Sequence, residues 1–424
     1  MSEAIRKMGI YNAVMAASVQ FNSAVFRAVV GVLANVPPST VAIITAIEFF
    51  LNFILEVPTG YLADKYGRIP SAILGHLSVM VGLSCGYTAL IMGGQGTLPE
   101  LLFILHGVFI GFTKPLISGS VDAFYQDAVT REVDKGLHQN GDNSFTLSKA
   151  FGKYFTTIAV VGAFSSIYFL HQYGLAHHAF LFGIVLWGIA LLRLLFDYRI
   201  LGDRYSMPSR LPELITKLNS KKVFYATGYN TSVFAVMVVI AGYFLLSIGR
   251  EFSASARIGD FETWTLMFLF FLGSQGLGWI VKGQVLPKII NKMSPKRYIT
   301  LFYFCLIVSS VAFCLTFKSL SFYGLCVVTT LYGLIYFTSA SAIQAVSRNM
   351  LLKEVPRRDY AMSLSIYNMP GFLWVSGYSV YLTKFRSGAP TLEEAFITVS
   401  IIAALFLILH QVTMQDFVKN GGPQ

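Results

Sequence analysis

Charge is what this chain has least of: Asp, Glu, Lys and Arg make up 12% of its 424 residues, about half their share in an ordinary soluble domain. Hydrophobic residues account for 55% and aromatic ones for 15%, more apolar side chain than a soluble core absorbs. Cysteine is scarce as well. Its four copies, Cys85, Cys305, Cys314 and Cys326, all fall in apolar stretches, where a thiol behaves as a small hydrophobe and implies neither a disulfide framework nor a metal cluster. Long polar segments are missing too, so no large soluble domain interrupts the chain. The single N-x-S/T sequon, at Asn230, lies inside an apolar stretch that glycosylation does not reach, and a bacterial inner membrane is expected.

What is present is repetition. Apolar runs of about 20 residues recur along the whole length, the length a helix needs to cross about 30 Å of hydrocarbon with every backbone group bonded internally. They predict spans near 10–36, 40–61, 70–93, 98–125, 146–170, 175–197, 223–248, 262–285, 298–317, 320–346, 360–383 and 394–415. The expected fold class is an all-α integral membrane protein with twelve transmembrane helices. The first span lacks a convincing cleavage site and carries Arg27, so it is read as a retained helix rather than a signal peptide.

A net charge of +11 suggests nucleic acid at first sight, but the basic residues alternate with spans. Of the 32 Lys and Arg residues, 23 fall on one side of the predicted membrane, five on the other and four within spans. That asymmetry places both termini in the cytoplasm. The longest polar segment, Tyr198 to Lys222, contains Pro208 and Pro212 and divides the spans six and six. The expected organisation is an N-terminal six-helix bundle over 1–197, a cytoplasmic linker over 198–222 and a C-terminal six-helix bundle over 223–424.

Between spans two and three stands Gly60-Tyr61-Leu62-Ala63-Asp64-Lys65-Tyr66-Gly67-Arg68. It resembles the G-x-L-A-D-[RK]-x-G-R loop signature of the major facilitator superfamily. Upstream, Glu56-Val57-Pro58-Thr59-Gly60 is similar to the approach found in drug-exporter-like members, and Ser118-Gly119-Ser120 through Asp127 is similar to the end of their fourth helix. On the residues alone, Gly60 and Gly67 permit a tight turn and Arg68 offers a paired, charge-assisted contact. The resemblance implies a pseudo-symmetric pair of six-helix bundles working by alternating access, with Gly60, Asp64, Lys65, Gly67, Arg68 and Asp127 as a gating motif. It further implies that Asp64 docks near the start of span eleven, around Asp359 to Met362, and that Arg68 pairs with Asp127. The corresponding segment of the second half, Gly283 to Lys288, has Pro287 where an acid would stand.

Charges at bilayer depth cost about 2.5 to 3.5 kcal/mol on insertion scales, so each needs a partner, a cavity or a function. On span one, Gln20, Ser23 and Arg27 share a face; on span four, Gly107, Gly111, Lys114 and Ser118 form a stripe beside Pro115. Two cations on helices that line the cavity in the resembling family suggest an anionic or zwitterionic solute, such as a carboxylate, phosphate ester or siderophore. An internal pair with Glu48 or Asp122 explains them equally well. Span two carries Thr45, Glu48, Asn52, Glu56 and Thr59 as one polar stripe, and Glu48, then Asp122, are the candidate proton carriers. Asn230, Gln275, Tyr336 and Asn368, with Tyr229, Tyr332 and Tyr367 nearby, are the second-half candidates for substrate binding.

His76 and His106 lack a metal-like partner at helical spacing and are expected to pack through hydrogen bonds. Gly82-Leu83-Ser84-Cys85-Gly86 matches a hydrolase pattern, but that motif works on a strand-to-helix turn and here lies mid-span. No enzyme and no cofactor is expected. A channel would more often show pore helices or a filter. The expected function is secondary active transport of a small organic solute by a monomer, coupled to protons, with proton-driven efflux of lipophilic compounds as the alternative.

Overall fold

The computed structural model describes residues 3–26, 30, 36, 38–94, 96–134, 170–202, 221–238, 295–316, 319–354, 360–385 and 392–419. Span eight, span five up to residue 169, Arg27, Gln275 and Asp359 lie outside them. Ten α-helices are described: α1 (Glu3–Val25), α2 (Pro38–Tyr66), α3 (Arg68–Ile91), α4 (Thr97–Asp134), α5 (Ala179–Leu201), α6 (Lys221–Val238), α7 (Pro295–Thr316), α8 (Phe322–Glu354), α9 (Tyr360–Phe385) and α10 (Leu392–Lys419). No strand occurs among the described residues. Among the described residues, five stretches are long and apolar enough to cross a membrane: Ile43–Ala63, Arg68–Ile91, Thr97–Ile117, Ala176–Leu201 and Ile299–Thr316.

Several helices outrun the apolar spans that predict them. At 38 residues α4 is about 57 Å long, so its end leaves the hydrocarbon. The protruding turns cap two neighbours. The amide of Ala4, at the start of α1, donates to the Glu132 carboxylate at 3.1 Å, and Arg131 donates to the carbonyls of Leu201 and Gly202 at the end of α5, both at 3.1 Å. Helix ends leave orphan N–H and C=O groups, and one acid and one base on α4 satisfy both kinds.

The described residues divide into two units, Met1–Leu218 with Val355–Ser387, and Asn219–Glu354 with Gly388–Gln424. In the first, α4 is the central element, packed on α2 and α3 through small residues. A Cβ on Gly107 would stand 2.9 Å from Ile44 Cγ2 and one on Gly111 would stand 3.0 Å from the Glu48 carbonyl. Close approach of this kind, with hydroxyls bridging to carbonyls, holds helices together where lipid removes the hydrophobic drive. Ser78 donates to the carbonyl of Phe109 at 2.8 Å, Ser71 to that of Leu116 at 3.2 Å and Thr59 to that of Pro115 at 3.0 Å. Helix α9, eleventh in the predicted order, packs along α2 in this unit, with Ser376 Oγ donating to the Ala46 carbonyl at 3.1 Å. The second unit joins α6, α7, α8 and α10 through buried pairs: Tyr229 with His410, Ser232 with Tyr303, and Ser310 with Tyr332.

Candidate functional site

The signature segment is a corner rather than a loop. Helix α2 continues through Gly60 to Tyr66, and the chain turns at Gly67 alone, whose φ of 111° lies where glycine is favoured. The expectation that Gly60 also turns is corrected: it is a buried helical residue. α3 begins at the next residue, so Arg68 is pinned at a helix start and buried, and its guanidinium donates to Asp127 of α4 in an ion pair. Lys65 is exposed outside the apolar span, over the rings of Tyr66 and Tyr61 at 4.9 and 5.9 Å. Its hydrogen bond to Tyr66 raises its pKa, so it stays charged at any physiological pH. Asp64 lies on the last turn of α2; its side chain is outside the described residues.

At mid-span, α2, α4 and α9 meet around Lys114. Gly107 and Gly111 admit α2 closely enough to align Ile44 with Gly107 and Glu48 with Gly111, and Thr59 reaches Pro115 further along. The stripe Glu48, Asn52, Glu56 therefore runs along α2 beside Lys114. The ammonium rests over Phe372 of α9, 4.2 Å from the ring centroid, and lies 5.9 Å from Phe49 of α2. Those rings meet at 6.2 Å. A cation within about 6 Å of an aromatic face is drawn to its quadrupole, most strongly where water is excluded. Asn52 is fully buried and donates to the Glu48 carbonyl at 2.8 Å.

The other expected site residues within described helices fall on α1, α4, α6, α8 and α9. Gln20 and Ser23 fall on α1, and Ser118 and Asp122 on α4, with side chains outside the described residues. Asn368 is half-buried on α9. In the second unit, Asn230 is buried and its Oδ1 accepts from Gln344 at 3.4 Å, while Tyr336 is buried beside Phe337, centroids 5.1 Å apart. His106 bonds the Gly82 carbonyl through Nδ1 at 2.8 Å, and the Gly82 to Gly86 pattern is a packing surface whose Ser84 is exposed and tied to its own helix at Met80.

One constellation escapes sequence reading. Asp197 of α5, fully buried, accepts from Tyr125 at 2.6 Å and pairs with Arg193 at 2.8 Å and Lys7 at 3.6 Å. Tyr11 packs its ring at a tilt against that of Tyr125, centroids 5.5 Å apart, and its hydroxyl meets His76 Nε2 at 3.3 Å. The i, i+4 spacing of Arg193 and Asp197 is a usable signal, because a paired acid and base on one helical face suit a buried polar seam.

Comparison with known proteins places these observations. A sequence profile of the Major Facilitator Superfamily matches residues 8–379. The crystal structure of the nucleoside transporter NupG superposes with a TM-score of 0.61 at 14% identity, over 98% of this chain and 99% of that one. A bacterial homologue of the iron transporter ferroportin, in its outward-facing state, gives 0.66 at 13% identity, over 98% and 100%. No curated protein is significantly similar in sequence. The fold is that of an all-α integral membrane protein with twelve transmembrane helices in two six-helix bundles.

Proposed function

The chain belongs to the Major Facilitator Superfamily, and from that premise we propose that this membrane transporter carries a small organic anion or zwitterion by alternating access, coupled to protons. The observation that carries the reading is Lys114, an ammonium at mid-span set against Phe372 and beside the acid stripe of α2. A charge this deep is costly, and recognition of an anionic group offsets the cost. Two carboxyls beside one ammonium are one acid more than the site's own cation pairs with, which leaves one available as a proton carrier. Glu48, half-buried, is the proposed carrier. The corner at Gly67, with Arg68 held by Asp127, is the proposed gate, biasing the population of states rather than binding solute. The protein works as a monomer in a bacterial inner membrane with both termini cytoplasmic.

Efflux of lipophilic compounds is the second reading, supported by the drug-exporter-like Glu56 to Gly60 approach and by the aromatic faces at Lys114. Counterflow in proteoliposomes separates the two. Preloaded carboxylates and zwitterions are expected to drive uptake of labelled solute, with Lys114→Gln abolishing it. Counterflow with lipophilic cations alone, unaffected by Lys114→Gln, establishes the second reading instead.

A further inference from the structure

The surroundings of Lys114 are those of a cation seat. Phe372, fully buried, presents its ring at 4.2 Å. Phe49 stands behind at 5.9 Å. Asn52 donates its amide to the Glu48 carbonyl, and among the described residues no hydrogen bond reaches its Oδ1. It lies one helical turn from Glu48 and one from Glu56, on the face that meets α4. Aromatic faces, carboxylates and an amide oxygen with a free lone pair all favour positive charge. Lys114 is the donor among them, with three N–H groups on a flexible four-carbon stem.

Charge balance then discriminates among solutes. With one of the two acids holding the proposed proton, Lys114 and the other acid balance, and a simple anion adds an unbalanced negative charge in a low dielectric. A simple cation takes the ring and adds a positive charge that no group of the site balances at bilayer depth, where charge is expensive. A zwitterion adds no net charge and offers each group its complement.

We propose that the site binds a zwitterion by exchange: the substrate's cationic group takes the place of Lys114 over Phe372, and the released ammonium turns to the substrate's carboxylate. Phe372 is thereby the specificity-determining residue that selects zwitterions over plain acids. The proposal rests on the reading of Lys114 as the substrate-binding cation and narrows it. Because Lys114 is on α4 and Phe372 on α9, the same exchange replaces a direct tie between these helices with one made through the substrate.

Two thermal-shift series on the full-length purified protein test this, since a ligand of the folded state raises Tm. The first uses tetramethylammonium. Lys114→Ala vacates the seat, so the probe is expected to raise the Tm of this variant by a few degrees while leaving wild type and the Lys114→Ala, Phe372→Leu double variant unmoved. A folded Lys114→Ala protein that tetramethylammonium does not stabilise overturns the proposal. The second uses matched sets, each an amino acid, its deaminated acid and its decarboxylated amine, on aromatic, aliphatic and N-methylated scaffolds. A zwitterion is expected to bind best within its set. Phe372→Leu is expected to weaken it ~30-fold, the equivalent of a desolvated cation–π contact, and Phe372→Tyr, which keeps the ring face, is expected to stay near wild type. If the plain acids bind as tightly as their zwitterions and Phe372→Leu changes neither, the cation seat is wrong while the anion role of Lys114 stands. If only the amines bind, and Lys114→Gln does not weaken them, both fail.

Discussion

Asp197 on α5 and Tyr125 on α4 share a hydrogen bond of 2.6 Å in the buried interior of the first unit, and the same carboxylate meets both Arg193 and Lys7. One acid therefore compensates two cations drawn from different helices. Removing it leaves Lys7 buried without its full complement. Asp197→Ala is expected to cost roughly 3–5 kcal/mol, the range for breaking a buried pair from one side. Replacing Lys7 by Met in the same protein recovers part of that loss. Thermal unfolding in detergent measures both, and a variant as stable as wild type contradicts the account.

The glycine seam between α2 and α4 sets a second expectation. A Cβ on Gly107 would meet Ile44 Cγ2 at 2.9 Å and the Ile44 carbonyl at 3.1 Å, and the carbonyl belongs to a helix that moves only as a whole. Gly107→Val is expected to destabilise by about 1–3 kcal/mol, as overpacking does, and to reduce solute binding at Lys114 along with it. Gly188, with open space around its would-be Cβ, is the control: Gly188→Ala is expected to leave Tm within a degree or two.

The corner pair is expected to act on rates. Arg68→Ala or Asp127→Asn removes the bond that ties α3 to α4 at Gly67, and the proposed consequence is a shift between conformations. Exchange in proteoliposomes is expected to slow about tenfold, a typical conformational coupling, with ligand affinity within about twofold of wild type. A large affinity loss with unchanged exchange would place these residues in the binding site instead.

Proton coupling and solute binding are expected to separate by mutation. Glu48→Gln cannot take up or release a proton, so accumulation driven by a pH gradient is expected to vanish while counterflow, which needs no net proton movement, persists. Lys114→Gln is expected to lose both. Gradient-driven uptake surviving in Glu48→Gln would move the role to another acid, with Glu56, buried on the same stripe, the first to examine.

The helices were legible because membrane insertion is a local demand: about 20 apolar residues must appear consecutively whatever the rest of the chain does. Thus the predicted span 70–93 corresponds to α3 at Arg68–Ile91 and 175–197 to the apolar stretch Ala176–Leu201. The ends were less legible. The extension of α4 to Asp134 follows from Glu132 and Arg131 capping two neighbouring helices, partners far away in sequence. The corner was half legible, since the motif marks a turn but hydrogen bonding along α2 decides that Gly67 alone makes it.

Composition and the spacing of apolar runs, together with the Gly60 to Arg68 segment, determined by themselves that this is a membrane transporter of its family, because both are properties of contiguous sequence. Only the tertiary structure decided what Lys114 faces. Helix periodicity puts it on a stripe with Gly107 and Gly111, yet nothing in that stripe says that α2 will close on the glycines or that Phe372, in a helix that starts at Tyr360, will lie under the ammonium. Which faces of distant helices meet is settled by packing over the whole chain, and a side chain's chemistry at bilayer depth is set by the partners that packing brings.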